Sequence, residues 1–427
     1  MVILAVLLTL LFLGVPISYA IAVSSLTAIL SSIDLNVAVL TAAQRTFVGM
    51  SKFSLTAIPF FILAGNIMNQ GGIAKRLVDF VMSILGKLPG ALLITNIGTN
   101  ALFGAISGSA SAAAAAVGSM IRDGAEEQGY DPAVTAATNS ASACSGLLIP
   151  PSNALITYSL ASGGTSVAAL FMAGYIPGII WALCCCVVGV LLAKHLGYKG
   201  TSGKFDWKNL GVCTLRALPS LSLIIVVIGG IVGGIFSATE GSAIAVVYSL
   251  GLAFCYRSIN LKSLWRIVVD SAKMSGMVVF LVGVSNILGW VMAFLQIPDA
   301  VAAALLSLTS NEYIILLIMN VILLVAGTFM DVTPAILIFT PLFLPICQSF
   351  GMHPIHFGLI LVYNLCIGNI TPPVGNALFV GIKVGRTSLE KILPYMLMYY
   401  VAIIGGLLLV TYIPAVSMAL PQLTGLV

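Results

Sequence analysis

Two polar stretches of this chain combine hydroxyl, carbonyl and carboxylate groups that could bind a hard cation. Residues 104–111 contain three serines, and residues 327–334 contain two threonines and Asp331. Oxygen atoms of these kinds are the ligands that a cation such as sodium takes. An exposed helix N-terminus in either stretch would also favour the carboxylate of an organic acid.

Small residues in these stretches have a second interpretation, because glycine, alanine and serine also let membrane helices pack closely. We favour close packing for the alanines at 112–116, and binding for residues 107–111. Asp331 lies inside an apolar segment, where a charge costs on the order of 3 kcal/mol, so it predicts a cation or a partner nearby. It could also cap the following helix together with Thr333, and the two roles can coexist.

A Pro-Pro pair occurs in each half of the chain, at residues 150–151 and 372–373, and an asparagine follows each pair. Proline lacks a backbone N–H and disfavours helical geometry before it, so each segment should form two half-helices around an unwound centre. Broken helices at matching positions of two halves indicate the substrate and ion sites of a transporter. Asn153 and Asn376 could bind ions or substrate there, or only satisfy freed backbone groups.

The composition indicates which solvent surrounds the elements that carry these groups. Of the 427 residues, 60% are hydrophobic and 7% are charged, and the mean hydropathy is +1.13. We therefore predict an all-α polytopic membrane protein with a single membrane domain over residues 1–427. The net charge of +5 is scattered over short loops, which argues against nucleic acid as a partner.

The chain is predicted to consist of two related halves. One sequence offset aligns the Pro-Pro pairs and, to within one residue, also aligns Ala20 with Ala243, which favours internal duplication. The first repeat is predicted at 1–200, with a hairpin at 88–123 and a broken helix at 132–160. A cytoplasmic connector follows at 201–216. The second repeat is predicted at 217–427, with a hairpin at 312–350 and a broken helix at 356–382.

The positions of Lys and Arg predict the orientation. Sixteen of the eighteen form four groups that should be cytoplasmic. Lys87 and Arg122 flank the first hairpin, so it should enter and leave on the cytoplasmic side, whereas no Lys or Arg lies near 312–348, which should enter and leave on the outer side. The halves would then be inverted copies, with about ten to eleven transmembrane helices plus two re-entrant hairpins. Arg45 and Lys52 are predicted on the outer face, on an amphipathic helix along the interface.

Over nearly its whole length the chain resembles the large membrane subunit of tripartite ATP-independent periplasmic (TRAP) transporters. Four motifs carry the resemblance, at residues 58–65 (IPFFILAG), 104–111 (GAISGSAS), 150–153 (PPSN) and 369–375 (NITPPVG). The resemblance implies sodium-driven import of a small organic acid, of the C4-dicarboxylate or sialic acid type, across a bacterial inner membrane. It also implies two partners, a soluble periplasmic substrate-binding protein and a small four-helix membrane subunit. Because residue 1 already opens an apolar segment, we expect the small subunit on a separate chain.

The resemblance also implies which residues bind. The sodium sites would be formed by Ser107, Ser109 and Ser111 with Gly146 opposite, and by Gly327, Asp331 and Thr333 with Gly368 and Thr371 opposite. The substrate would contact Ser107, Ser109, Asn153, Thr333 and Asn376.

The expected mechanism is an elevator, in which both hairpins and both broken helices move as one body against the remaining helices within the membrane lipid. The alternative function is a divalent-anion/sodium symporter that needs no binding protein. An enzyme is not expected, because the sequence has no His-Glu-x-x-His, Gly-x-Ser-x-Gly or phosphate-binding Gly-x-x-x-x-Gly-Lys motif.

Overall fold

The computed structural model describes residues 2–198 and 206–427, and within that part the secondary structure is entirely helical. A short 3-10 helix covers Phe53–Thr56. The α-helices are α1 (Val2–Phe12), α2 (Ile17–Ile29), α3 (Leu35–Met50), α4 (Ala57–Gln70), α5 (Ile73–Leu85), α6 (Ala91–Ser107), α7 (Ala110–Glu127), α8 (Pro132–Ala143), α9 (Ser145–Leu148), α10 (Asn153–Ala161), α11 (Val167–His195), α12 (Trp207–Val232), α13 (Ala238–Cys255), α14 (Leu261–Phe294), α15 (Ile297–Leu308), α16 (Glu312–Phe329), α17 (Val332–Ser349), α18 (Pro354–Gly368), α19 (Asn376–Val384), α20 (Leu389–Tyr412) and α21 (Ala415–Leu423).

Several helices are long and apolar enough to cross a membrane. Within the described residues seven qualify by length and hydropathy, or eight if the pair of α3 and the helical stretch 53–70, bent by 59°, counts as one span. The sequence predicts ten to eleven spans. Fewer helices meet the length criterion because several of the apolar segments are interrupted. α1, α2 and the pieces of the broken segments are each too short to cross a bilayer singly.

Each half contains two consecutive helices that are followed by an interrupted helix. α6 and α7 pack against each other within the predicted hairpin 88–123, and α8 to α10 occupy the predicted broken segment, with a cis bond between Pro150 and Pro151. In the second half α16 and α17 occupy 312–349, and α18 and α19 flank a cis bond between Pro372 and Pro373. The breaks therefore lie at the two Pro-Pro pairs.

The half-helices that follow the breaks pack across the two halves. α10, from the first half, packs against α17 of the second hairpin. α19, from the second half, packs against α7 and α8 of the first. We call the hairpins and broken helices together (α6–α10 and α16–α19) the hairpin body, because this crossed packing makes them one contiguous group.

A buried tryptophan fixes both broken helices to α11. The indole of Trp181 donates a hydrogen bond to the Ala141 carbonyl of α8 at 2.8 Å. Its ring also meets Tyr363 of α18 edge-on, with centroids 4.9 Å apart. Such edge-to-face contacts add to the stabilisation from burying aromatic surface. One side chain therefore positions the segments that lead into both breaks.

A second group of helices lies beside the hairpin body. α14 packs against α2, α3 and α4, and α13 packs against α4 and α12. We call these six helices, α2–α4 and α12–α14, the flanking group. It meets the hairpin body where α4 contacts α6 and where α14 contacts α17.

Two helices and one boundary differ from the sequence-based expectation. α5 and α15 are helices that the sequence did not predict, whereas α3 includes Arg45 of the expected amphipathic helix and ends before Lys52. The predicted connector 201–216 is too long, because α12 already begins at Trp207, capped by the Asp206 carboxylate, which accepts hydrogen bonds from the Lys208 and Asn209 amides. The rest of that connector, up to residue 205, lies outside the described residues.

Candidate functional site

The tip of the first hairpin is a tight turn between α6 and α7. Gly108 has φ +60°, a conformation that glycine adopts without strain, and it ends α6. Ser109 then caps α7, and its hydroxyl accepts a hydrogen bond from the Ala112 amide at 3.3 Å. The hydroxyl of Ser107, which is buried, donates to the Ser109 carbonyl at 3.4 Å. The turn therefore gathers two hydroxyls and several helix-end carbonyls.

The first helix break lies directly against this tip. A Cβ placed at Gly104 would lie 2.5 Å from the Gly146 Cα, and a Cβ at Gly146 would lie 2.1 Å from the Gly104 Cα. Real Cβ atoms do not approach backbone so closely, so this contact requires glycine on both sides. Asn153, the first residue of α10, donates from Nδ2 to the Gly108 carbonyl at 3.4 Å. The structure thus brings Gly146 and Asn153 to the serine tip.

The tip of the second hairpin carries the carboxylate. Asp331 occupies the position before α17, but its side chain does not cap that helix. Its Oδ1 instead accepts a hydrogen bond from Asn376 Nδ2 at 3.1 Å. Asp331 and Asn376 are both exposed. The capping role considered for Asp331 is therefore wrong, and its carboxylate faces the start of α19.

The second break approaches its tip in the same manner as the first. A Cβ at Gly368 would lie 2.4 Å from the Gly327 carbonyl carbon, and a Cβ at Gly327 would lie 3.2 Å from the Gly368 Cα. The Val374 amide donates to the Thr328 carbonyl at 3.1 Å, which joins the unwound segment to the hairpin. Thr371 donates its hydroxyl to the Ile367 carbonyl at 2.6 Å, so its side chain lies at the C-terminal end of α18.

In each half, two helix N-termini meet at the contact between tip and break. Asn153 begins α10 beside the turn that starts α7, and Asn376 begins α19 beside the residue that precedes α17. The N-terminal amides of a helix carry a partial positive charge and favour an anion. The carbonyls at the C-terminal ends of α6, α9, α16 and α18 favour a cation. Both kinds of ligand are therefore provided at each contact.

Buried oxygen atoms without a hydrogen-bond partner are an observation that fits a bound cation. Among the described residues, the amide oxygens of Asn153 and Asn369 are buried and unpaired. An unpaired buried polar atom is costly, and an ion could satisfy it. Asn369 lies at the end of α18, and its Nδ2 is 4.0 Å from the Cys144 Sγ between α8 and α9, so the segments that lead into the two breaks are adjacent.

Two of the predicted ligands lie slightly apart from these contacts. Ser111 and Thr333 are half-buried near the start of α7 and α17, respectively. Within the described chain no hydrogen bond joins either side chain to a broken helix. The other predicted site residues gather in two groups, the first being Ser107, Ser109, Gly146 and Asn153, and the second Gly327, Asp331, Gly368, Thr371 and Asn376.

Four residues at this site were not among the predicted ligands or substrate contacts. Gly104 is the partner of Gly146, and Asn369 with Cys144 joins the two breaks. Gly65 of α4 also belongs here, because a Cβ on it would lie 2.7 Å from the Ser107 carbonyl oxygen. Gly65 ends the apolar motif at 58–65 and Asn369 begins the motif at 369–375. Membership of these motifs was the sequence feature that could have indicated that both residues lie at the site.

Comparison with known sequences identifies the family. The family described as "Tripartite ATP-independent periplasmic transporter, DctM component" matches residues 4–416. The chain belongs to this family. It is a TRAP transporter large permease component, and the resemblance found in its motifs is confirmed.

Individual relatives cover almost the whole chain. YgiK of Salmonella typhimurium, named an uncharacterized protein, is 50% identical over 96% of this chain and 94% of its own length. The C4-dicarboxylate TRAP transporter large permease protein DctM of Pseudomonas aeruginosa is 38% identical over 94% of this chain and 93% of its own length. The isethionate TRAP transporter permease protein DctMQ of Oleidesulfovibrio alaskensis is 37% identical over 95% of this chain, which spans 64% of DctMQ.

A solved structure supports the fold. The YdaH transporter of Alcanivorax borkumensis superimposes with a TM-score of 0.63 at 14% identity, covering 89% of this chain and 88% of its own. This TRAP permease therefore shares an all-helical transporter architecture.

Proposed function

We propose that this TRAP permease carries out sodium-driven uptake of a small organic acid across the bacterial inner membrane. A periplasmic substrate-binding protein delivers the acid, and a small four-helix membrane subunit completes the transporter. The observation that carries the proposal is the repeated contact of a hairpin tip with a helix break, at Gly104 with Gly146 and at Gly327 with Gly368. Each contact combines cation-binding carbonyls with anion-binding helix N-termini.

The substrate is proposed to be a carboxylate of the C4-dicarboxylate or sialic acid type. A carboxylate suits the paired N-termini of α7 with α10 and of α17 with α19, supported by the hydroxyls and amides of the predicted substrate residues. Sodium is proposed at each contact. The first ion would be held by oxygens of Ser107, Ser109 and Ser111 with Gly146, and the second by Gly327, Asp331 and Thr333 with Gly368 and Thr371.

Uptake into proteoliposomes tests this proposal. The permease is reconstituted with its small subunit, and labelled succinate, sialic acid and isethionate are offered with and without an inward sodium gradient and purified binding protein. Uptake that needs both the gradient and the binding protein supports the proposal. Uptake driven by sodium without the binding protein would place the chain with the self-sufficient symporters instead.

The voltage response would then report the charge carried. Two sodium ions with a monocarboxylate move one net positive charge inward, and each elementary charge gains about 2.3 kcal/mol from a potential of 100 mV. Sialic acid uptake should therefore speed up when a valinomycin-induced potassium potential makes the vesicle interior negative. Uptake of a dicarboxylate with the same two ions is electroneutral and should not respond.

The proposed mechanism is an elevator, in which the hairpin body moves against the flanking group and its small subunit. The crossed packing of α10 on α17 and of α19 on α7 supports motion as one unit. A cysteine pair can test this at the boundary between the two groups. A Cβ at position 289 of α14 would lie 3.9 Å from the Pro341 Cβ of α17, which suits a disulfide without backbone movement.

The double variant Gly289→Cys/Pro341→Cys should therefore lose uptake under oxidation and recover it under reduction. The two single variants under the same oxidation are the controls and should keep uptake. Undiminished uptake in a fully cross-linked sample would contradict the elevator while leaving sodium-driven transport untouched.

A further inference from the structure

A large cavity outside the two tip contacts lies between the flanking group and the hairpin body. Its volume is about 290 Å³, far above the roughly 10–15 Å³ that one water needs. α3 and α14 line one side, and the end of α10 together with α17 lines the other. We call it the outer basic cavity for two reasons. Two cationic side chains line it, and it lies at the end of α14 far from Lys262, which is one of the basic residues predicted on the cytoplasmic side.

Two basic side chains give this cavity its charge. Arg45, in α3, and Lys52, just after it, line the cavity, and no Asp or Glu does so among the described residues. Neither cation forms an ion pair within the described chain. They are also the two basic residues that the sequence places on the outer face, apart from the sixteen assigned to the cytoplasm.

Neighbouring groups orient the charge and add hydrogen-bonding capacity. The Arg45 guanidinium lies over the Trp290 ring, 5.5 Å from its centroid, a cation–π contact that holds it at the cavity. Ser285, which is 6% exposed, also lines the cavity, and its hydroxyl has no hydrogen-bond partner. A guanidinium, an ammonium and a free hydroxyl form a donor set for a carboxylate.

The cavity is close to the proposed sites. Leu337 of α17 lines it, and Leu337 lies about 9 Å along that helix from Asp331. On the same side, Ala161 ends α10, the half-helix that begins with Asn153. The hairpin body therefore connects this cavity to both tip contacts.

We propose that the outer basic cavity is an entry site, in which Arg45 and Lys52 bind the carboxylate of the organic acid before it reaches the hairpin tips. The inference rests on the proposed function, because it assumes inward transport of such an acid. It adds a specificity element in the flanking group, separate from the tip residues. The entry site favours anions through charge, and the tip contacts then take the acid together with sodium.

Transport kinetics test the role of the two cations. Arg45→Gln and Lys52→Gln should each raise KM for the acid that wild type transports about tenfold, as expected for loss of one nearby opposite charge. The kcat and the sodium concentration for half-maximal uptake should stay within twofold, because the tip contacts are unchanged. Arg45→Lys should keep most of the affinity. Lys262→Gln, which removes the same charge at the other end of α14, is the matched control and should leave KM unchanged.

A labelling assay tests the same inference without transport. Cys255, the exposed native cysteine, is first replaced by serine. Ala161→Cys then places a thiol at the cavity. The rate at which this thiol reacts is measured with an anionic and with a cationic methanethiosulfonate reagent. The anionic reagent should react about tenfold faster than the cationic one, and Arg45→Gln/Lys52→Gln should abolish that preference. The transported acid should slow labelling in the cationic background only.

The outcomes separate the two proposals. If wild type shows sodium-driven uptake but both neutral variants keep the wild-type KM, the entry site is wrong and the transport function stands. If vesicles containing phosphatidylglycerol protect the thiol at 161 and the acid does not, a lipid headgroup occupies the cavity and the entry site is again wrong. If wild type takes up no acid in the presence of all components, the transport function itself fails.

Discussion

The two contacts between tip and break use the same backbone arrangement with different chemistry. At the first, Ser107 is buried, the available oxygens are neutral, and glycine is required on both sides. At the second, the carboxylate of Asp331 is exposed and paired with Asn376, and Gly327 has more room than Gly104. The comparison separates close packing from charge, because the first contact depends more on packing and the second more on electrostatics.

The largest expected effect comes from packing. Gly104→Ala should abolish uptake and lower the midpoint of thermal unfolding, because its new Cβ would meet backbone at 2.5 Å. Such overpacking costs roughly 1–3 kcal/mol or more. Gly327→Ala, at the equivalent place, meets backbone at 3.2 Å and should keep part of the uptake. Gly405→Ala in α20 is the control, since no atom lies within 4 Å of its Cβ position. If Gly104→Ala and Gly327→Ala lost uptake equally, the first contact would not depend more on close packing than the second.

A smaller effect is expected from charge. Asp331→Asn should raise the sodium concentration for half-maximal uptake about tenfold, because a carboxylate attracts the cation and an amide does not. The fold should persist, since Asp331 is exposed and does not cap α17. Sodium activation curves measured on wild type and variant check this, and a change from sigmoidal to hyperbolic would indicate one lost ion. Unchanged activation would exclude Asp331 from the site.

The smallest effect should distinguish the two asparagines. Asn376→Ala removes a donor from a carboxylate, whereas Asn153→Ala removes one from a neutral carbonyl at 3.4 Å. Hydrogen bonds to charged groups are worth about twice those between neutral groups. Asn376→Ala should therefore raise the half-maximal sodium concentration about threefold, and Asn153→Ala less than twofold. The reverse order would mean that the unpaired Asn153 oxygen, not the Asp331 carboxylate, is the more important ligand.

The helix breaks could be predicted because they depend on local chemistry. Pro-Pro pairs cannot continue a helix in any environment, and Gly108 permits the turn at the first tip wherever the hairpin lies. Both features therefore follow from a few neighbouring residues.

The remaining contacts depend on residues far apart in the sequence, which no local pattern specifies. The packing of α10 on α17 and the approach of Asn369 to Cys144 join opposite halves of the chain. α5 was missed because Lys75 and Arg76 interrupt its apolar pattern, although Ile73 and Leu77 are buried. The start of α12 was misplaced because its first turns are polar, and polar residues were taken to mark a connector.

The crossed packing of α10 and α19 has a consequence for biogenesis. A nascent chain that has been synthesised only as far as α11 contains α10 but not α17, the helix against which α10 packs. The first half must therefore wait for the second before its own broken helix is fully enclosed. A gene split at the central connector should yield a working permease only when both fragments are made in the same cell. For the same reason, neither of the two halves could be lost after the duplication that the sequence suggests.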